Sequence, residues 1–409
     1  MLNSVRTDNP FFADILLVYT KSSMYISILG RQPALGMAEL ERMHGAKNVK
    51  WFSNESAVVD VTNFDFERLG GSLKAGRVIM HVNGNWRDAS NAIIEHYLAA
   101  WGTASHKITF GISTYGFKAT NRDIQKTGIV LKQKLKINGT SLRLIPNDFP
   151  ALNTATSHHN KLGLAPNKVE VLAVRAGNGA IIVAESVGAQ NITSFAARDQ
   201  ARPHTDAFVG MLPPKLARMM INISGAKIGT LLDPFCGTGV VLQEALIDGF
   251  TAYGTDLSDK MVDYTTKNLA WFIDKKHPAG TVGTISQGDA MTYVWNHPIN
   301  TVVSEAYLGQ PFSAPPRPEK LTEVRGNCNH IISSFLRNIA PQLKKGTPLC
   351  LAIPAWRGKD GAFTHLPLIG NLGTLGYERV VLKNTKNDEL LYYRETQVVA
   401  RELLVLIKK

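Results

Sequence analysis

Cysteine is scarce in this chain: Cys236, Cys328 and Cys350 are the only three among 409 residues. None forms a Cys-x-x-Cys pair. That excludes a disulfide scaffold and a four-cysteine zinc site, and a reducing cytoplasm is the compartment it suits. Charge is thin as well, at 19% of residues, against roughly 25% in an average soluble domain. Disorder of the whole chain is nonetheless excluded, because 44% of the residues are hydrophobic and supply real cores. Long apolar runs are missing: no stretch reaches about 18 residues, so no membrane span is expected. The apolar stretch 11–19 is short, contains Asp14 and lacks a basic start, so it does not read as a signal peptide. There is no Gly-Lys-Ser/Thr, which excludes a P-loop. His158-His159 falls in a loop-like stretch without matched ligands, so no metal is expected.

What the chain does carry is positive charge, unevenly placed. The formal net charge is +12. Residues 101–200 hold net +7 and residues 301–409 net +6, while 1–100 and 201–300 are close to neutral. Two basic regions flanking a neutral one suit a phosphate-rich partner, because each neutralised phosphate releases counterions.

Regular pattern begins at Met24, with a strand to Leu29, a break at Gly30-Arg31-Gln32-Pro33 and a helix ending at Gly45. Short strands and helices then interleave, as in small α+β domains. A basic helix opens at Asn121 and carries Lys126, Lys132, Lys134 and Lys136. A strand containing Arg143 follows, and Gly177-Asn178-Gly179 joins two strands as a hairpin. Residues 198–204 read as a polar connector. After the helix opened by Pro213-Pro214 the pattern changes. Apolar β-rich runs at 228–232, 251–255, 301–304 and 348–353 alternate with helical stretches, which predicts a mostly parallel sheet covered on both faces.

The sharpest local signal is Asp233-Pro234-Phe235-Cys236-Gly237-Thr238-Gly239, a glycine-rich turn between a strand and a helix. Glycines there let the backbone approach a ligand. Asp256 ends the next strand, where a carboxylate holds ribose hydroxyls, with Leu257 beside it. Asp289-Ala290 follows the third strand, within reach of an adenine amine. A dinucleotide fingerprint needs a third glycine or alanine where this chain has Leu242, so NAD is disfavoured.

This turn resembles the signature of S-adenosylmethionine-dependent amino-group methyltransferases. The chain more widely resembles the THUMP-domain tRNA guanine N2-methyltransferases, the archaeal and eukaryotic guanosine-10 type. The resemblance rests on Leu29-Gly30-Arg31-Gln32-Pro33-Ala34-Leu35 with Ala38-Glu39-Leu40, Leu69-Gly70-Gly71-Ser72-Leu73-Lys74, Arg198-Asp199, Arg202-Pro203, Gly210-Met211-Leu212-Pro213-Pro214-Lys215-Leu216-Ala217 and Tyr393-Arg394-Glu395-Thr396-Gln397-Val398-Val399-Ala400-Arg401-Glu402. It implies an α/β chain whose C-terminal Rossmann-like class I methyltransferase domain (225–409) follows an extension (1–23), a ferredoxin-like domain (24–85), a THUMP domain (86–190) and a connector with a helix (191–224). It also implies tRNA as partner, S-adenosylmethionine as donor and, for eukaryotic relatives, a small activating protein partner. Lys126, Lys132, Lys134, Lys136 and Arg143 are then candidate phosphate contacts.

The chain departs from that group at the catalytic motif. Where its members carry Asp-Pro-Pro-Tyr, this sequence reads Ser304-Glu305-Ala306-Tyr307-Leu308-Gly309. Aligning Tyr307 with the Tyr puts Ser304 at the acid position; aligning Glu305 with the Asp puts Leu308 at the Tyr position. Ser304, Glu305 and Tyr307 are therefore the catalytic candidates. The stretch 310–326, with four prolines and Arg317, Lys320 and Arg325, reads as a stiff basic loop that grips nucleic acid. The first expectation is an enzyme methylating N2 of a guanosine in tRNA. The alternatives are a non-catalytic or partner-dependent RNA-binding protein with a degenerate site, and a methyltransferase for another nucleic acid.

Overall fold

The computed structural model describes residues 24–206 and 211–409. The extension 1–23 and Gly210 of the stretch compared above lie outside the described residues. In chain order the first half holds β1 (Met24–Leu29), α1 (Pro33–His44), β2 (Val49–Ser53), β3 (Ser56–Asp60), β4 (Ser72–Asn83), α2 (Trp86–Trp101), β5 (Ile108–Tyr115), α3 (Asn121–Ile137), β6 (Leu142–Leu144), α4 (Thr154–His159), β7 (Lys168–Arg175) and β8 (Ala180–Ala189). The second half holds α5 (Ile192–Gln200), α6 (Pro214–Ser224), β9 (Thr230–Asp233), α7 (Val240–Ile247), β10 (Thr251–Asp256), α8 (Asp259–Lys276), β11 (Thr281–Gln287), β12 (Thr301–Glu305), α9 (Pro318–Ile339), β13 (Pro348–Arg357), β14 (Phe363–Thr364), β15 (Tyr377–Arg379), β16 (Leu391–Tyr392) and β17 (Val399–Lys408).

Two compact units emerge. Of the described residues, the first takes in 24–28, Lys47–Phe66 and Leu73–Ala189; the second takes in Leu29–Ala46, Glu67–Ser72 and those from Gln190 to Lys409. The first is built on one eight-stranded sheet in the order β2-β3-β1-β4-β8-β7-β5-β6. Strands from the stretches expected as ferredoxin-like (24–85) and THUMP (86–190) thus share a single sheet, joined where β4 pairs antiparallel with β8. Helices α2 and α3 bury Ile93, Tyr97, Ile124 and Leu131 against the strand residues Phe110, Ile112 and Val171. Thr120 and Asp123 close a capping box at the start of α3.

The second unit is a nine-stranded sheet in the order β11-β10-β9-β12-β13-β17-β15, with β14 and β16 at its margin. Strands β9 to β13 are parallel, and β17 enters antiparallel between β13 and β15. Chain order reverses between β9 and β12, which opens a crevice at their carboxyl ends.

Helix α1 is part of this unit because two buried carboxylates clip it there. Glu39 accepts the amides of Gly70 and Gly71, both at 2.8 Å, and the Asn222 side chain at 2.7 Å. Burial pushes its carboxyl up, and these donors pull it part of the way back. Gly71 has no room for a side chain, since a Cβ would stand 2.6 Å from Gly36 Cα. Glu41 accepts the amides of Lys383 and Asn384 at 2.7 and 2.8 Å. Arg42 donates to the last carbonyls of α6, Ile223 at 2.9 Å and Ser224 at 2.7 Å, which complements the helix dipole.

Three local expectations are corrected. The proline-rich stretch is irregular only to Arg317: Pro318 sits in the first turn of α9, where its missing amide costs nothing, and 318–326 is helical. His158 and His159 end a short helix capped by Asn153 rather than lying in a loop. Arg198, expected in a polar connector, lies in α5, buried and ion-paired with Glu244, which also holds Arg218 at 2.8 Å. Among the described residues no helix is long and apolar enough to cross a membrane, and none of their acidic, cysteine and histidine side chains form a metal-binding cluster.

Candidate functional site at the sheet switch point

The turn 234–239 leaves β9 at the crevice and is fixed by its own backbone. Cys236 N donates to Thr255 O at 2.9 Å and Gly239 N to Cys236 O at 2.7 Å. Gly237 and Gly239 take φ of +51° and +84°, the left-handed region that favours glycine. Thr265 donates to Gly237 O at 2.7 Å and Asn268 to Thr238 O at 2.9 Å, so α8 holds the turn from behind. Cys236 is buried under it, near Gly254, and burial pushes its thiol far up, which suits packing rather than nucleophilic chemistry.

Asp256 locks the turn to the end of β10. It accepts Gly237 N at 2.9 Å on one oxygen and Ser258 N at 2.9 Å on the other. Each oxygen keeps a further lone pair for a hydroxyl donor. Leu257 beside it is 69% exposed, an apolar surface next to a carboxylate. Gly288 N donates to Asp256 O at 2.9 Å, which brings the loop after β11 alongside. There Asp289 accepts Met291 N at 2.9 Å. This set (a glycine cradle, an acid at the end of β10, an apolar neighbour and a third carboxylate) fits a nucleoside-bearing donor.

The candidate residues differ in how far they face this crevice. Phe235, Gly237, Asp256, Leu257 and Asp289 are at least partly exposed, whereas Pro234, Thr238 and Gly239 are buried within the turn. Ala290 packs in the core, and its carbonyl accepts Asn338 Nδ2 at 3.0 Å.

Strand β12, next to β9, carries the catalytic candidates. Ser304 is fully buried and donates its hydroxyl to Asp233 at 2.5 Å, so it serves the turn rather than the open edge. Asp233 is itself buried, and its carboxyl is pushed up to about 7. Burial is the main cause, opposed by the Ser304 hydroxyl and Phe235 amide and reinforced by Asp256 and Glu305. Glu305 is 16% exposed and ion-paired with Arg401 of β17. Burial pushes its carboxyl up, and Arg401 pulls it only part of the way back. Tyr307 stands 47% exposed just beyond β12. The chain then turns through Gly309 at φ +79°, where a Cβ would stand 2.8 Å from Val324 Cγ1 and 3.1 Å from Cys328 Sγ of α9.

The basic candidates separate likewise. Lys126, Lys132, Lys134 and Lys136 are exposed along α3, and Arg143 is exposed on β6. Arg317 is exposed at the start of α9. Lys320 is paired with Glu323 at 2.8 Å, and Arg325 donates to His365 O at 2.8 Å, so both have duties within the unit. Sequence reasoning placed Arg401 in the final hairpin but gave it no role at the site; the signal was a charged pair, Arg401-Glu402, inside an apolar strand.

Residues 202–272 match the family model UPF0020, described as the RMKL-like methyltransferase domain. Over 159 residues the chain is 34% identical to the tRNA (guanine(10)-N2)-dimethyltransferase of Methanothermobacter thermautotrophicus, covering 38% of this chain and 43% of that protein. Over 71 residues it is 44% identical to the enzyme of that name from Methanocaldococcus jannaschii, covering 17% of this chain and 20% of that one. The chain thus spans less than half the length of these curated relatives. The solved structure of TrmN from Thermus thermophilus aligns with a TM-score of 0.50 over 94% of this chain and all of that one, at 16% identity. That likeness shows the fold alone: the chain is α/β, and the second unit has a Rossmann-like parallel sheet with its order reversed between β9 and β12.

Proposed function

We propose that this chain methylates the exocyclic N2 amine of a guanosine in tRNA, with S-adenosylmethionine as donor. One observation carries the reading. The Asp233–Gly239 turn, Asp256 and Glu305 with Tyr307 converge at the point where the order of the parallel strands reverses. The identity to enzymes named for guanosine-10 N2 dimethylation supports the substrate. The first unit, with its exposed lysines on α3, serves in this reading as the THUMP-type tRNA-binding part. The cytoplasm is the proposed compartment.

When bound, the donor would supply an electrophilic methyl group, the S–C bond breaking onto sulfur as the N2–C bond forms and the N2 proton passing to solvent. The chain's own work is placement. Asp256 accepts the ribose hydroxyls and Leu257 covers the nucleoside's apolar side. Asp289 accepts from the adenine amine through the oxygen not used by Met291. Tyr307 stacks on the extruded guanine. Glu305 accepts a hydrogen bond from the N2 amine and orients its lone pair toward the methyl.

The second reading, an RNA-binding protein without turnover, is motivated by the missing Asp-Pro-Pro-Tyr. A single assay separates the two. Purified protein, labelled donor and unmodified tRNA transcripts are incubated and digested to nucleosides, with Glu305→Ala alongside. N2-methylguanosine from the wild type, lost in the variant, is the expected result. No product, despite tight donor and tRNA binding, points to a partner-dependent or non-catalytic binder.

A further inference from the structure

We infer that Arg401 is a positioning residue for the methyl-accepting amine: it takes one oxygen of Glu305 and leaves the other aimed at the open edge of the sheet. The inference deepens the proposed function and rests on it.

The register shows how the pair forms. Glu305 is opposite Ala352 on β13, and Ala352 is opposite Leu403 on β17; Arg401 is opposite Pro354. Residues two apart on a strand share a face, so Arg401 lies on the face of Glu305, one step nearer the carboxyl edge. Its side chain spans β13 diagonally to reach Glu305 Oε1 through Nε. Among the described residues Oε2 has no hydrogen-bond partner. An arginine suits this task because its planar fork fixes the plane of the carboxylate, where a lysine gives only a point charge.

The surroundings make such a clamp necessary. The turn after β12 has no prolines to stiffen it and bends through Gly309 instead. The acid's aim therefore has to come from a contact. Its charge needs support too. Asp233 on β9 feels both Asp256 on β10 and Glu305, so three carboxylates crowd this edge. Arg401 on β17 is the cation paired with Glu305. Ser304, the nearest hydroxyl in sequence, is spent on Asp233. With Oε1 held by Arg401, a protonated Glu305 would present an O–H donor and a poorer acceptor to the amine at Oε2, so the ionised form is the working one.

The test is the pH profile of kcat/KM for methyl transfer to tRNA, in wild type, Arg401→Gln, Arg401→Lys and Glu305→Gln, with thermal melting and donor affinity measured for each. The wild type shows an acid limb, which Glu305→Gln abolishes. In Arg401→Gln that limb moves to higher pH by about 1–3 units, as expected for loss of an adjacent opposite charge. Donor affinity stays unchanged. Arg401→Lys keeps the limb near its wild-type position while kcat falls about tenfold or more, because the charge remains and the orientation is lost. If glutamine prevents folding, the lysine variant decides alone: wild-type kcat overturns the inference. A glutamine variant that folds, transfers methyl and has an unmoved limb also overturns it. A wild type that forms no N2-methylguanosine overturns the inference together with the reading beneath it.

Discussion

The hydroxyl of Ser304 donates to Oδ1 of Asp233 at 2.5 Å, tying the end of β12 to the end of β9 at the switch point. The Phe235 amide donates to the same oxygen at 3.3 Å. One buried carboxylate thus sets both the start of the glycine turn and the strand that carries Glu305. It does so at a cost, because burial raises its carboxyl to about 7.

That cost has a sign. An unfolded Asp titrates at about 3.9, so between pH about 4 and 7 the folded protein binds more protons and stability falls as pH rises. Asp233→Asn keeps an acceptor for Ser304 and Phe235 but carries no charge. It is expected to stabilise the protein at pH 8 by roughly 1–4 kcal/mol and to leave it unchanged at pH 4, read from denaturant unfolding at both pH values. Equal shifts at the two pH values refute the assignment.

Tyr307 is half-exposed and holds nothing in the core. Tyr307→Ala is expected to leave stability within about 0.5 kcal/mol. Stacking on a base is worth about 1–3 kcal/mol, so kcat/KM for tRNA falls roughly 5- to 150-fold. Tyr307→Phe, which keeps the ring, retains most of the activity. A phenylalanine variant as impaired as the alanine one rules out stacking as the role.

Gly288 precedes Asp289 and sits against the Tyr293 ring, with the position of a Cβ only 2.1 Å from Tyr293 Cδ2. The ring is fixed in turn by Ser286, 2.8 Å from its hydroxyl. Gly288→Ala is expected to destabilise by about 1–3 kcal/mol through overpacking and to weaken donor binding by displacing Asp289. Combining it with Tyr293→Ala makes room and should restore donor affinity measured by calorimetry; failure to restore it places the damage elsewhere.

The exposed lysines of α3 form a graded test of the basic surface. Lys126, Lys132, Lys134 and Lys136 changed together to Gln should weaken tRNA binding and flatten its salt dependence. Each lost phosphate contact lowers the slope of log K against log salt by about 0.7–0.9. Donor affinity and folding should be untouched, since all four side chains are in solvent. An unchanged slope removes α3 from the tRNA-binding surface.

The sequence by itself determined the elements whose signals are local. The turn 233–239 reads directly because glycine at positive φ and an acid at a strand end are properties of adjacent residues. The hairpin at 177–179, the parallel strands and the basic helix were legible for the same reason: period, turn chemistry and charge need no partner. Tertiary structure alone decided who meets whom. Glu39 of α1 and Gly70-Gly71 lie about thirty residues apart in sequence yet clip together. Ser304 and Glu305 are polar neighbours at the end of one strand, and the packing brings one against Asp233 and the other against Arg401. Burial sets the surroundings of the two positions apart: the Ser304 hydroxyl fits inside the sheet against a carboxyl raised toward neutrality, whereas the Glu305 carboxylate lies less buried, against an arginine.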